Sequence, residues 1–271
     1  MELQKYDFQY RYYTGEGNSF LPVHRIDHRK FFFCVLVHVR SGAYHTSAGG
    51  YTYTAYAGET LFIPAGVLHD VFMTEPGVLD WMHFSCRTGS IDVFGNMTQP
   101  VVLTDAIAAH CGEACSLMAY YGQQAASVYN SLIQDRTLSC LTADLVARFD
   151  ISLRVPSSLI SQVLLMVQRN ISTDLKLRDI ANAFNISPST LERHFQEEMS
   201  MSLFEYIRKQ RIELACVHLI RTGSATQAAN EAGYCDAYYF SRAFKKYMEI
   251  TPRQYLESIQ IGRNKMESQQ E

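Results

Sequence analysis

The stretch GYCDAYYFSRAFKKYMEITPRQY, Gly233 to Tyr255, decides how this chain is read. It puts a glycine, an acidic residue, paired tyrosines, an arginine and two lysines into one helix-like run. Gly233 supplies a turn, because glycine takes a positive φ at little cost. Asp236 stands as N-cap of the helix that follows, and Phe240 and Phe244 bury that helix at i, i+4. Tyr238, Ser241, Arg242, Lys245 and Lys246 are left facing outward, with Tyr239 expected to pack. Upstream, Ala228, Ala229 and Ala232 form the buried side of a shorter helix. Two short helices joined by a tight turn, the second with a polar outer face, make a helix-turn-helix. In that motif the second helix lies in the DNA major groove, with its early residues at base edges.

The same plan occurs once before, in LKLRDIANAFNISPSTLERHFQEEM, Leu175 to Met199. Leu177, Ile180, Ala181 and Phe184 bury a first helix, Asn185 and Ile186 turn the chain, and Ser187 caps a second helix that has Pro188 at its first position. Leu191 and Phe195 bury that helix, leaving Ser189, Thr190, Glu192, Arg193 and Gln196 outward. Arg193/Arg242, Phe195/Phe244, Tyr206/Tyr255 and Leu191/Phe240 all stand 49 residues apart, while Ile180–Ala181 meets Ala228–Ala229 at 48. One residue has therefore been inserted in the second turn. Between the units, Leu203 to Arg221 reads as one uninterrupted helix of 19 residues. Its length is roughly 28 Å at about 1.5 Å per residue. Successive major grooves lie about 34 Å apart, so this helix can hold two reading heads on one DNA face. Arg242 suits two hydrogen bonds to guanine, and Lys245 and Lys246 suit phosphate.

Residues 157–257 resemble the DNA-binding domain of the AraC/XylS transcription regulators. The second unit carries the family signature in Gly233, Tyr234, Asp236, Tyr239, Phe240, Ser241, Arg242, Phe244, Lys245, Lys246, Thr251, Pro252 and Tyr255. The linker fits at Ile207, Arg208, Arg211, Ile212, Ala215 and Leu219. Ser200 and Glu249 stand where the family usually has a glycine after each recognition helix. The resemblance implies base contacts from Ser189, Glu192 and Arg193 in the first unit and from Tyr238, Ser241 and Arg242 in the second. It also implies RNA polymerase as a partner.

The first half has a different grammar. FFFCVLVHV, YTYTAYAG, ETLFIP, HDVFMT and VLDWMHFSC are short β-rich runs separated by turn residues. They predict an antiparallel barrel or jelly roll over 21–102, preceded by an arm over 1–20 that carries Phe8, Tyr10, Tyr12 and Tyr13. Residues 103–150 read as two helices, near Asp105–Tyr121 and Gln124–Arg148. Leu138, Leu141, Leu145 and Phe149 stripe the second helix. The stripe either packs on the β domain or pairs with its twin in a homodimer. Residues 151–156 read as a linker and 258–271 as a disordered tail. The fold class is thus α+β, a barrel with two following helices and then an all-α domain of two helix-turn-helix units.

In GETLFIPAGVLH the spacing of Gly58, Pro64, Gly66 and His69 resembles the second motif of the cupin barrels. Many cupins use such a histidine as a metal ligand, but the first-motif His-x-His and glutamate are absent here, so no metal and no cofactor are expected. An inward His69 is then either a core histidine bonded to a carbonyl or a hydrogen-bonding group for a ligand inside the barrel. Tyr44, His45 and Phe8 join it as effector-site candidates. Trp81, in DWMHF, resembles the family's Trp-x-x-Phe strand and reads as core, and His38 and His83 lie in strand-like runs. Sugar-sensing members of the family close the pocket with the N-terminal arm. Aromatic arm residues suit both sugar stacking and stapling of the arm.

Composition sets the outer bounds. The chain has 271 residues, a net charge of −3, 47% apolar and 19% charged residues, which reads as folded and soluble. Residues 157–271 hold 14 Lys+Arg against 13 Asp+Glu, a bias that permits nucleic-acid binding without demanding it. No run nears the roughly 18 apolar residues of a membrane helix. Seven cysteines without a CxxC pair, and no signal peptide, point to reduced thiols in the cytoplasm. The leading expectation is a sequence-specific DNA-binding regulator, an activator responsive to a small, carbohydrate-like molecule, and not an enzyme. The alternatives are a metal-binding cupin protein or enzyme with a helical accessory domain, and a regulator of the same type without an effector.

Overall fold

The computed structural model describes residues 8–89, 91–153 and 156–257. The first seven residues of the expected arm, two of the expected linker and the expected tail from 258 lie outside the described residues. The chain divides into two compact units, Met1–Ser152 and Leu153–Glu271.

The first unit runs β1 (Phe8–Leu21), β2 (His24–Arg29), β3 (Cys34–Ser41), β4 (Ala43–Ala48), β5 (Tyr51–Tyr56), β6 (Thr60–Ile63), β7 (His69–Met73), β8 (Gly77–Thr88), β9 (Ile91–Asp92), β10 (Val101–Leu103), α1 (Asp105–Gly122) and α2 (Val128–Phe149). Among the described residues the strands form two antiparallel sheets. One has the order β1-β8-β3-β6-β10, with β9 paired to β8, and the other has the order β2-β7-β4-β5. Here the expected arm is corrected. From Phe8 onward it is an edge strand, paired with β8 from Phe8↔Thr88 to Leu21↔Gly77. Its alternating aromatics give it a face to bury, and β8 supplies a free ladder of backbone groups.

The six-stranded sheet buries both faces. One face meets the helices: Thr60 Oγ1 donates to Ala108 O at 3.1 Å, and the Phe62 ring lies 5.5 Å from Phe149. The stripe of α2 belongs to this packing, since Leu138, Leu141 and Leu145 are buried within the unit. At the centre of the face, the fully buried Asp80 carboxylate accepts from Arg40 Nε at 2.6 Å, Ser116 Oγ at 3.1 Å and Asn18 N at 2.7 Å. It thereby ties β3, α1 and β1 to β8. The opposite face carries Val35, Val37, Leu61 and Ile63, all buried, together with Trp81 and His83, which pair in register with Val37 and Val35.

The second unit runs α3 (Ser158–Arg169), α4 (Leu177–Ala183), α5 (Pro188–Met199), α6 (Leu203–Thr222), α7 (Ala225–Glu231) and α8 (Ala237–Met248), with a last helical turn at 252–257. Ile160, Val163 and Val167 of α3 pack with Ile180, Leu191 and Phe195 around Tyr206. The repeat holds in three dimensions. Phe195 and Tyr206 have ring centroids 5.5 Å apart, and their counterparts Phe244 and Tyr255 are 5.6 Å apart.

Candidate nucleic-acid interface and inter-sheet site

The two helix-turn-helix units share one backbone plan. In each turn a single left-handed residue reverses the chain, Asn185 at φ 55° and Gly233 at φ 78°. The following amide then reaches back in the same way, Ile186 N to Ala181 O at 3.1 Å and Tyr234 N to Ala229 O at 2.9 Å. Gly233 is further constrained by space: a Cβ there would lie 2.7 Å from Ser172 O and 2.8 Å from Ser172 Cα. Ser187 Oγ accepts from Thr190 N at 3.1 Å to cap α5, and Asp236 Oδ1 accepts from Tyr239 N at 2.5 Å to cap α8. Ser200 and Glu249, where the family usually has glycine, both take left-handed C-cap geometry, at φ 55° and 67°. The backbone feature survives and the glycine does not, at a cost of about 1 kcal/mol for each side chain.

The candidate DNA contacts fall on the outer faces of α5 and α8. Ser189 and Arg193 are exposed, and Thr190 and Glu192 half-buried. Part of the Thr190 hydroxyl's capacity is used at the cap, where it lies 2.8 Å from Ser187 Oγ. On α8, Ser241, Arg242, Lys245 and Lys246 are exposed, and Tyr238 is 73% exposed. The Arg242 guanidinium lies 5.8 Å from the Tyr238 ring centroid. Tyr239, expected to pack, is 54% exposed, although its ring stands 6.0 Å from that of Tyr234. The apolar stripe through Phe240, Ala243, Phe244 and Met248 fills the buried side without it.

α6 joins the two units, and its 20 residues span roughly 30 Å. Its Arg211 is a strut that the sequence pattern did not reveal. Nε donates to Ile171 O at 2.9 Å and Nη2 to Thr173 O at 2.6 Å, while the guanidinium stands 5.8 Å from the Tyr234 ring centroid. Ser172 Oγ donates to Glu231 O at 2.6 Å. The segment ahead of the first unit is thus bonded to the linker helix and to the end of α7.

The compact unit Met1–Ser152 holds a second polar cluster, on the inter-sheet face. His69 is 3% exposed, and its Nδ1 lies 2.9 Å from Val67 O. A carbonyl only accepts, so Nδ1 carries the proton and Nε2 is a bare lone pair. Among the described residues, Nε2 is buried with no hydrogen-bond partner, as is the Trp81 Nε1–H donor. His83 connects the two, 5.0 Å from Trp81 and 5.5 Å from Phe31, which in turn lies 6.0 Å from His69 (ring centroids). Burial pushes the His69 imidazole down to about 3, with the Arg29 charge adding to the effect and the bond to Val67 opposing it. Burial, Arg29 and His69 hold His83 well below its ordinary value. Burial raises the Tyr44 phenol, and Arg29 opposes that shift. Both histidines are therefore neutral at pH 7.

Of the four effector-site candidates, His69 and Tyr44 are buried on the inward side of the four-stranded sheet. His45 is on its outer side, stacked 4.8 Å from Phe72, with Nδ1 2.9 Å from Thr54 Oγ1. One step along a strand changes the face, and Tyr44 took the inward one. Phe8 stacks on Tyr10 at 6.3 Å, and Tyr10 reaches Ser139 of α2 at 3.4 Å. It therefore lies on the helix-covered side, away from His69. Arg29, Trp81 and His83 take their places. For the last two, the alternation Trp81, His83, Ser85 along β8 was the available signal. Among the described residues no group of three or more His, Cys, Asp or Glu is placed to hold a metal ion.

Paired helix-turn-helix units on a rigid linker, each with an outward polar helix, define a DNA-binding protein. The family described as helix-turn-helix domain matches residues 180–258. AarP, an HTH-type transcriptional activator of Providencia stuartii, is 33% identical over 100 residues, covering 36% of this chain and 74% of that protein. The Msm operon regulatory protein of Streptococcus mutans is 22% identical over 277 residues, 96% of each chain. The raffinose operon transcriptional regulatory protein RafR of Pediococcus pentosaceus is 34% identical over 96 residues, and only 35% of its length is spanned. In fold, the chain is similar to apo ToxT of Vibrio cholerae, with a TM-score of 0.56 at 13% identity over 94% of this chain and 98% of that one. The chain belongs to the AraC/XylS family of DNA-binding transcription regulators.

Proposed function

We propose that α5 and α8 supply the DNA contacts of this regulator, and that the inter-sheet site around His69 and Trp81 receives a small molecule that sets its activity. The observation that carries the effector reading is the pair of buried, unpartnered atoms, His69 Nε2 and Trp81 Nε1. An unmade buried hydrogen bond costs about 1–3 kcal/mol. A ligand that presents a donor to the imidazole and an acceptor to the indole recovers that cost, and a hydroxyl does both. A neutral, hydroxyl-rich compound fits these groups. A cytoplasmic location, where chromosomal DNA is reached, is part of the proposal. No helix among the described residues is long and apolar enough to cross a membrane.

The test is thermal melting of the whole chain against a panel of neutral saccharides. Raffinose leads it, because one relative regulates a raffinose operon. A compound that raises the melting temperature and alters a DNase footprint should lose both effects in His69→Gln and Trp81→Phe. A compound that works equally on both variants removes this site from the reading.

A homodimer and contact with RNA polymerase complete the proposal. The stripe at Leu138 is already covered, so the surface offered to a second copy is the outer side of α1 and α2, where Tyr120, Val128, Tyr129 and Leu132 are exposed. Leu132→Asp should shift sedimentation toward monomer without changing melting by more than about 0.5 kcal/mol. An unchanged sedimentation profile excludes that surface.

A further inference from the structure

The two second helices match in backbone and oppose each other in charge. α8 carries Arg242, Lys245 and Lys246 and no carboxylate. All three are exposed, and none forms an ion pair among the described residues. α5 carries one cation, Arg193, with Glu192, Glu197 and Glu198. That cation is engaged, since Arg193 Nη1 lies 3.1 Å from Glu197 Oε1. Glu198 is also engaged, accepting from Ser157 N at 2.6 Å and Ser157 Oγ at 2.8 Å at the start of α3. Glu192 is left. It is half-buried, sits one turn past Ser189 on the outer face, and makes no hydrogen bond or ion pair among the described residues.

A carboxylate that enters a groove lined with phosphates is repelled and loses water. It is tolerated only where a donor meets it. In the major groove the base-edge donors are cytosine N4–H and adenine N6–H, and adenine sets its N7 acceptor beside that donor, which repels a carboxylate. We infer that Glu192 makes the first unit a discriminating reader of one C·G base pair, and that the second unit is the electrostatic anchor. This rests on the DNA contacts proposed above for α5 and α8. Affinity then comes mainly from counterion release at α8, while α5 rejects wrong sequences.

The test uses the full chain and selection from a random duplex pool, followed by salt titration of the enriched site. The wild type should enrich one cytosine that, when replaced, weakens binding about 5- to 150-fold, the range of one good base-edge contact. Glu192→Ala should lose that preference to within ~2-fold and bind random duplex more tightly. Glu192→Gln should move the preference from cytosine to adenine, because a side-chain amide pairs with adenine N6 and N7. Its melting temperature serves as the folding control. The combined Lys245→Ala, Lys246→Ala change should lower the salt slope by about 2, at roughly 0.9 per phosphate contact, whereas Arg193→Ala should lower it by less than about 1. Retained cytosine preference in Glu192→Ala, or a slope loss from Arg193→Ala equal to that of the double change, overturns the inference. Failure of the wild type to enrich any sequence would instead overturn the DNA-contact reading beneath it.

Discussion

The two faces of the six-stranded sheet come from the same strands, yet Asp80 on one face and Trp81 on the other differ in how their polar atoms are used. On the helix-covered face Asp80 is fully buried and fully used, with a guanidinium, a hydroxyl and a backbone amide as donors. On the inter-sheet face, one residue further along β8, the Trp81 N–H has no hydrogen-bond partner among the described residues, and neither has His69 Nε2 on the facing sheet. Native interiors satisfy nearly all such groups, and the exceptions call for a reason. The contrast separates a polar group that holds the fold from the two atoms that the proposed ligand would satisfy. A fold that can saturate Asp80 is not short of ways to saturate an indole.

The largest effect expected from this contrast is at Asp80. Asp80→Ala should cost roughly 3–5 kcal/mol in urea unfolding, because it strands Arg40 Nε and the Asn18 amide. The value should fall toward the lower end, since Arg40 is partly exposed. His69→Gln should cost about 1 kcal/mol or less. The reverse order would make the inter-sheet face the structural one.

The next effect is a pH dependence. His69 sits near 3 in the folded chain against an ordinary value of 6.5, and His83 is lowered too. Below pH 6.5 the unfolded chain therefore takes up protons that the folded chain refuses, and stability falls as pH drops toward 3. The slope should approach about 1.4 kcal/mol per pH unit for each histidine. Unfolding measured between pH 7 and 4 should show this loss, and His69→Gln should make the slope shallower. An unchanged slope in that variant would mean that His69 is solvated. The smallest effect belongs to Trp81→Phe, which removes an unpartnered donor and should change stability by less than about 1 kcal/mol. Its consequence should appear in ligand response alone.

Much of the second unit was legible in the sequence. Ser187, Pro188, Asp236 and the phenylalanine pairs announce caps and buried stripes within a dozen residues of each other, and the 49-residue offset reports the duplication. The reading of Tyr239 as packed failed, because helical spacing near the boundary of a stripe does not say whether neighbours already fill the core. In the first unit the strands were legible but not their partners. Phe8, Tyr10 and Tyr12 read as part of an arm until β8 is seen to supply its free edge. His45 and Tyr44 are adjacent in sequence, and which of them faces inward depends on the register of β4 with β5 and β7.

Local chemistry in the sequence therefore determined two capped helix-turn-helix units, their linker helix and a strand-rich first half, because caps, turns and periodic stripes act over a few residues. Tertiary structure decided which distant groups meet. Arg211 reaches carbonyls of residues 171 and 173, Asp80 gathers Asn18, Arg40 and Ser116, and His69 and Trp81 come to lie on the inward faces of two different sheets. A strand's alternation gives each residue one of two faces. Only the packing of sheet on sheet and helix on sheet assigns a face its neighbours, and with them the difference between a satisfied buried group and an open one.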